Sequence, residues 1–567
     1  MVTRRRGWWL ALAVMVAFVA AGLSGQGGRA GVAAGSRGVK LITGADMKPA
    51  MRFLGAKEFR GRPAPSIEVD IASRDIALEA ERIGLKPLMP NGSYLQDLPV
   101  EVTTMSSTRS YLRVLGPTGE LRLSFPQAFS TSVRTGGEWT AMGGLVFAGS
   151  SLDAATPKWD DAIDLRGRLV VLLDRTAPPG TTAPSSGTTP AASVAAARTR
   201  LLREKGAIGT ITVIGREREE NLAKQGLTFD VGERLRWLDV DTVNPAPPPA
   251  PRPAGAPAPV SAAPTAPFYT VEVRHDAAAA MLGITVEQLR GYFDAIAAGT
   301  PVAPRALPDR SVDISVVFET KRRTSPNVVA YLPGSDPVLK DEYLVIGSHH
   351  DHLNVREGRV LPGADDNVSG SVAMLAIAKA MMVERPKRSV IFVWHTAEER
   401  GLVGAYYFVQ HCPVPVEKIT ANLNLDMITR NDPNGIYLIG SNKISSELDR
   451  SFKEVNAASV KLTLDYKYED PGEPNRFFFR SDHYPYMRYG IPGVWIFCGT
   501  TPDYHTERDV EERVDYAKME KVTRLTYLVA MDVGNKPALL ALDLHPEIKT
   551  RGPHNMKVIW QRPATTK

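Results

Sequence analysis

Seven of the ten histidines in this chain of 567 residues fall between His349 and His505, most of them beside a carboxylate or at the end of an apolar run. Imidazole nitrogen and carboxylate oxygen are donors that a zinc ion takes, so the residue types alone raise the question of a metal site. The first cluster, Gly347-Ser348-His349-His350-Asp351-His352, follows the apolar stretch 343–346. In its His-x-Asp element the histidine can ligate while the carboxylate fixes a neighbouring ring, because a metal-bound imidazole nearly always donates its other N–H to such a partner. A histidine-rich surface turn has the same local appearance, and these six residues do not separate the two readings.

The second cluster, Pro362-Gly363-Ala364-Asp365-Asp366-Asn367, leads into a helix expected from near Ser369. Acidic residues ahead of a helix act as N-caps; alternatively Asp366 is a carboxylate shared by two cations, and the local sequence leaves both open. The third is the sharpest. An apolar strand over 389–394 runs into His395-Thr396-Ala397-Glu398-Glu399-Arg400-Gly401. Adjacent glutamates at the end of a buried strand are costly unless paired or metal-bound. Their side chains diverge, so one can ligate while its neighbour faces a bound water; an acidic loop before a glycine turn is the alternative. Residues 422–427 place Asp426 at the end of another apolar strand, Arg480-Ser481-Asp482-His483 precedes a Tyr- and Pro-rich stretch, and Tyr504-His505-Thr506 follows a strand over 494–497. Singly these are weak, but together they repeat one grammar of strand followed by candidate ligand.

Such side chains must be held by a sheet. Runs over 328–332, 343–346 and 389–394 are continuous apolar strands, with a helix over 369–382 between two of them. That is the pattern of an α/β domain with a mostly parallel central sheet flanked by helices, in which ligands gather where loops leave the carboxyl ends of strands. Upstream, 46–59 and 66–83 read as helices, the second stopped by Gly84. The alternation through Val100, Val102 and Thr104 predicts a strand. Between 111 and 274 short apolar strands (169–173, 208–214) surround a helix at 192–205, separated by long loops. The Pro- and Ala-rich segment 244–267 has no periodicity of a packed element and predicts an extended excursion.

A hydrophobic fraction of 43% supports a real core, while a net charge of +6 spread over scattered Lys and Arg lacks the clustering of a nucleic-acid footprint. Arg4, Arg5 and Arg6 precede an apolar run from Trp8 to Leu23 and then small residues, the design of a secretory signal. Residues 1–25 are therefore expected to be a signal peptide and 26–40 a flexible tether, which places the protein outside the cytoplasm, secreted or periplasmic. The run is shorter than the roughly 20 residues of a membrane helix, so membrane attachment is expected only if the signal stays uncleaved. Cys412 and Cys498 are too few for a disulfide scaffold, and their pairing is open at this level.

Taken in order, Gly-Ser-His-His-Asp, Pro-Gly-Ala-Asp-Asp-Asn, Ala-Glu-Glu-Arg-Gly-Leu-x-Gly, Asn-Leu-Asp-Met, Arg-Ser-Asp-His and Tyr-His-Thr resemble the aminopeptidase-Y type of zinc peptidase, family 28 of clan MH, over about 327–530. The resemblance implies that His349 and Asp426 hold one zinc, Glu399 and His505 the other, and that Asp366 bridges them. It implies Glu398 as general base and Asp351 as the partner that orients His349, while Tyr504 and Arg480 match positions that contact substrate in relatives. That set is complete without His350, His352 and His395. Two Zn2+ per chain, a peptide or protein substrate and hydrolysis by a metal-bridged hydroxide, as an aminopeptidase, are the corresponding expectations. A carboxypeptidase or dipeptidase of the same family, a glutaminyl-peptide cyclase and a non-catalytic receptor-like protein are the alternatives. Asp164-Leu165-Arg166-Gly167-Arg168-Leu169-Val170-Val171-Leu172, with a later Gly206-Ala207-Ile208-Gly209, resembles the β-rich protease-associated domain inserted into such peptidases. The implied division is N-terminal helices of the peptidase domain over 41–110, the inserted domain over 111–305, the catalytic domain over 306–545 and a tail over 546–567. The sequence does not indicate an oligomeric state.

Overall fold

Four apolar strands lie side by side in the order Gly493–Phe497, Ile419–Leu425, Tyr343–His349 and Ser389–His395, each parallel to its neighbour. The computed structural model describes residues 36–131, 138–152, 158–159, 161–174, 190–230, 232–240, 267–470 and 473–544. Apart from Tyr343 every residue of these four strands is buried, as expected of strands covered on both faces. Because they run parallel, all four carboxyl ends reach one rim of the sheet.

The flanks of the same sheet are antiparallel, so its parallel order is confined to the centre and one outer pair. Phe318–Leu332 pairs with Ser389–His395 on one side and with Leu95–Met105 on the other, and Glu233–Trp237 extends the row. At the opposite edge Gly435–Ile439 runs antiparallel to Gly493–Phe497 and carries Thr463–Asp465 in parallel. The strand expected from the alternation at Val100 and Val102 is thus part of the site-bearing sheet.

Period-2 alternation divides the core between the sheet's two faces. Val328, Ala330, Leu344 and Ile346 join one cluster with helices Gly44–Leu54, Ile67–Ile83, Gly370–Val383 and Tyr516–Asn535. Val329, Val345, Ile391 and Val393 face the other way, onto Phe408 and Val409 of helix Val403–Gln410 and onto Tyr486. Ile67–Ile83 follows its sequence signals: Ser66 accepts the Val69 N–H and Gly84 closes the helix in the left-handed region. The helix expected over 46–59 is shorter, running Gly44–Leu54 behind a Thr43 cap and ending at Gly55, with a separate turn at Lys57–Phe59.

A second, eight-stranded mixed sheet contains Tyr111–Gly116, Trp139–Phe147, Arg168–Leu173, Gly209–Val213, Tyr269–Val273 and Arg305–Val316. Its own core includes Leu145, Phe147, Val171, Ile211 and Ile314 and is covered by helices His275–Leu282 and Val286–Ala297. Beyond the chain crossings, Arg218 ion-pairs with Glu357, and the Asp230 carboxylate accepts the Glu357 N–H at 3.1 and 3.2 Å. The signal peptide, most of the tether, all but the last residue of the Pro/Ala excursion and the tail lie outside the described residues. Among the described residues no helix is long and apolar enough to cross a membrane. Cys412 and Cys498 are free thiols.

Arg62 joins the N-terminal helices to the rim. Its guanidinium donates to the carbonyls of Leu54, His350, Pro362 and Gly363 at 2.7–3.2 Å, and its own carbonyl accepts the His352 N–H at 3.0 Å. The preceding Gly61 allows this approach, since a Cβ there would lie 2.0 Å from the Leu353 carbonyl oxygen. Burial pushes the Arg62 guanidinium down to about 10, while Asp351, Asp366, Asp509 and Glu399 hold it charged. Replacing it strands buried carbonyls at about 1–3 kcal/mol each. Arg62→Met is therefore expected to lose roughly 3–5 kcal/mol of stability, read as a fall in Tm, and Arg62→Lys to lose less because one point donor remains.

Candidate metal centre

Each candidate ligand leaves the sheet at the common rim. His349 ends the strand Tyr343–His349, in register with His395. Glu398 and Glu399 follow Ser389–His395 after Ala397, and Asp426 directly follows Ile419–Leu425. His505 lies beyond Gly493–Phe497, and Asp366 sits in the segment preceding helix Gly370–Val383. Ala397, Met427 and His505 adopt φ of 56–58°, and such left-handed non-glycine residues gather where surrounding structure over-determines a site.

The side chains converge. His349 Nε2 is 3.3 Å from Asp366 Oδ1 and 3.4 Å from Asp426 Oδ1. His505 Nε2 is 3.1 Å from Asp366 Oδ2 and 3.2 Å from Glu399 Oε1. Asp366 thus faces both groups, one oxygen to each. Two donor triads are compact enough for an ion, His349 with Asp366 and Asp426, and His352 with Asp366 and Glu399. His349 Nε2, His352 Nδ1, Glu399 Oε1, Asp426 Oδ1 and His505 Nε2 are all buried without a hydrogen-bond partner among the described residues. Buried polar atoms are normally satisfied, so five unsatisfied donors pointed at one another fit cations held between them. The residues fit a pair of zinc ions, and the donor chemistry of imidazole and carboxylate suits that metal.

Supporting contacts orient these donors. His349 Nδ1 lies 3.1 Å from the Asp351 carbonyl oxygen. A carbonyl can only accept, so Nδ1 carries the proton and Nε2 presents its lone pair to Asp366 and Asp426. The Asp351 carboxylate, expected to hold that ring, is 3.6 Å away and accepts the Glu398 N–H at 3.0 Å. Ser481 donates to Asp426 Oδ2 at 2.6 Å and accepts from Asn424 Nδ2 at 2.7 Å. Asp509 accepts the Asp365 and Asp366 N–H groups at 3.0–3.1 Å and pairs with Arg430 at 2.8 Å. Burial raises the Glu398 carboxyl well above its ordinary value; His349 opposes the shift, and Glu399, Asp482 and Asp426 add to it.

Residues 327–530 match the sequence model of Peptidase family M28. Over this segment the chain is similar to that family. The probable leucine aminopeptidase 2 of Aspergillus oryzae is 36% identical over 192 residues, covering 33% of this chain and 36% of that protein. Leupeptin-inactivating enzyme 1 of Streptomyces exfoliatus is 34% identical over 185 residues, covering 32% of this chain and 38% of that one. The chain thus spans little more than a third of the length of the curated relatives it matches. Among solved structures, a zinc aminopeptidase from Bacillus subtilis aligns over 90% of this chain and 99% of its own, with 16% identity and a TM-score of 0.47.

Within the matched segment the remaining histidines divide. His350 bonds to Ser73 Oγ at 2.7 Å, and burial holds it down at about 3. His395 lies between Asp482 at 3.3 Å and the Tyr486 hydroxyl at 2.9 Å, behind the rim. His483 is buried against Phe478 and Trp495. His352, outside the sequence-derived set, stands in the centre, with Nδ1 2.9 Å from Glu399 Oε1. Tyr504 stacks on His505, and Arg480 donates to its hydroxyl at 3.1 Å. The cleft beside the M28 rim is lined by Asp366, Glu398, Asp426, Met427, Phe477, Arg480, Trp495, Phe497, Thr500 and Tyr504. Of the supporting residues, Ser481 lies in the Arg-Ser-Asp-His motif, while Asp509 and Arg62 carry no local signal in the sequence.

Proposed function

We propose that the chain is an exported, zinc-dependent metallopeptidase that removes apolar residues from peptide N-termini. The observation that carries this reading is the double donor cluster sharing Asp366, with the Glu398 carboxyl beside it at 4.0 Å from His349 Nε2. His349 and Asp426 are assigned to one zinc, Glu399 and His505 to the other, and Asp366 to both. When bound, such a pair supplies Lewis acidity and lowers the pKa of coordinated water toward roughly 7. Glu398, with its raised proton affinity, accepts a proton from the attacking water and returns it to the leaving amine. Arg480 holds Tyr504, whose hydroxyl donates toward the scissile carbonyl oxygen. Met427, Phe477, Trp495 and Phe497 form apolar walls next to the carboxylates, an arrangement suited to a free amine attached to a bulky apolar side chain. The relatives named leucine aminopeptidases support the same choice. The second sheet, from Tyr111–Gly116 to Arg305–Val316, is assigned to an inserted protease-associated domain that takes no part in the chemistry; its bounds run past the expected 305, and Glu233–Trp237 within them joins the site-bearing sheet instead.

A panel of aminoacyl-anilides, N-blocked peptides, C-terminal substrates and dipeptides tests this, run with and without a chelator. Leucyl- and phenylalanyl-anilides are expected to turn over fastest, blocked peptides not at all, and zinc is expected to restore chelated protein. Cleavage of N-blocked peptides at a comparable rate would reject the aminopeptidase reading.

A further inference from the structure

His352 is fully buried and its ring sits where a ligand would. Nδ1 is 2.9 Å from Glu399 Oε1 and 3.9 Å from Asp366 Oδ2, the same two oxygens that His505 Nε2 approaches at 3.2 and 3.1 Å. Two imidazole nitrogens therefore flank one pair of carboxylate oxygens. Despite this closeness, neither His352 Nδ1 nor Glu399 Oε1 has a hydrogen-bond partner among the described residues. Two donors that approach without pointing along an N–H axis are arranged to address a third atom between them. The ring is held there from both sides. Its backbone N–H donates to the Arg62 carbonyl at 3.0 Å. Opposite, Gly363 at φ 60° leaves room that a Cβ would remove, since that atom would lie 2.5 Å from His352 Cδ2.

We propose that His352 is a further zinc ligand through Nδ1, completing the site formed by Asp366, Glu399 and His505. This rests on the two-ion reading above. The pair is then unequal. One site would have four protein donors, two of them imidazoles, the number of ligands that zinc takes where it is held tightly. The other has three, His349, Asp366 and Asp426, and keeps the open position that catalysis needs. Glu398 stands beside that second group, with its Oε2 4.0 Å from His349 Nε2. The asymmetry assigns the substrate's reacting group to the His349 ion and leaves the His352 ion to hold Asp366 and Glu399 in place.

Zinc-edge X-ray absorption on the purified, zinc-loaded protein tests this without any substitution, because scattering from imidazole rings counts them. Three rings shared between two ions, His349, His352 and His505, are expected. Two rings over two ions would overturn the role of His352 while leaving the two-ion reading intact, and fewer than two bound zincs would overturn both. Equilibrium dialysis against a competing chelator gives a second readout. His352→Ala is expected to release one of the two ions at least roughly 10-fold more readily and to leave the other unchanged. His352→Asn, which returns an oxygen donor near the Nδ1 position, is expected to recover part of that affinity. Release of both ions from folded His352→Ala as in the parent would also overturn the assignment.

Discussion

Glu398→Gln is expected to bind zinc as the parent does and to lower kcat by at least roughly 10²–10⁴-fold. The substitution keeps the volume of the side chain and removes only its ability to take a proton. Glu398 belongs to neither compact donor triad, so metal content should not move. Its backbone N–H is fixed by the Asp351 carboxylate at 3.0 Å, which aims the side chain into the cleft whatever its charge. Burial, together with Glu399, Asp482 and Asp426, raises its proton affinity against the pull of His349. A group that serves first as base and then as acid must both accept and release a proton. Zinc measured by atomic absorption beside kcat on leucyl-anilide separates the roles. A variant that keeps two zincs and a kcat within about threefold of the parent would remove Glu398 from the chemistry.

The parts of the site that could be read in the sequence are those whose signals are local. His349, Glu399 and Asp426 each stand at or just after an apolar strand, and a run of buried residues announces itself without reference to the rest of the chain. Helix Ile67–Ile83 was legible for the same reason, with Ser66 and Gly84 as its punctuation. The parts that could not be read depend on partners far away in sequence. Arg62 has the composition of a loop residue, and only the return of 350 and 362–363 to its side turns it into a clamp. Asp509 resembles any surface aspartate until the N–H groups of Asp365 and Asp366 come to meet it. Five ligands make a complete set without His352, yet completeness of a set says nothing about whether a sixth donor reaches it. Similarly, the parallel order at the centre follows from strand–helix alternation. The antiparallel flank depends on Leu95–Met105 finding Phe318–Leu332 more than two hundred residues later, which no local pattern encodes.

Asp366→Asn is expected to cost the protein both ions, where Asp426→Asn costs it one. Asp366 Oδ1 faces His349 and Oδ2 faces His505, at 3.3 and 3.1 Å, so it is the one residue common to both donor triads. Asp426 approaches only the His349 side. An amide can offer one neutral oxygen where the carboxylate offers two charged ones, so the substitution weakens both sites at once. A ligand held by conserved outer contacts changes affinity by roughly 10–100-fold when those contacts are lost, and loss of the shared ligand itself should exceed that at each site. In dialysed protein Asp366→Asn should retain well under one zinc with kcat down by at least roughly 10³-fold, whereas Asp426→Asn should retain about one. The neighbouring Asp365 supplies the control: its carboxylate points away to the Thr429 N–H and hydroxyl at 2.9 and 2.6 Å, so Asp365→Asn should lose stability before it loses zinc. If Asp366→Asn and Asp426→Asn retained the same amount of zinc, the two donor groups would not be joined through a single carboxylate, and the two ions would have to be treated as independent sites.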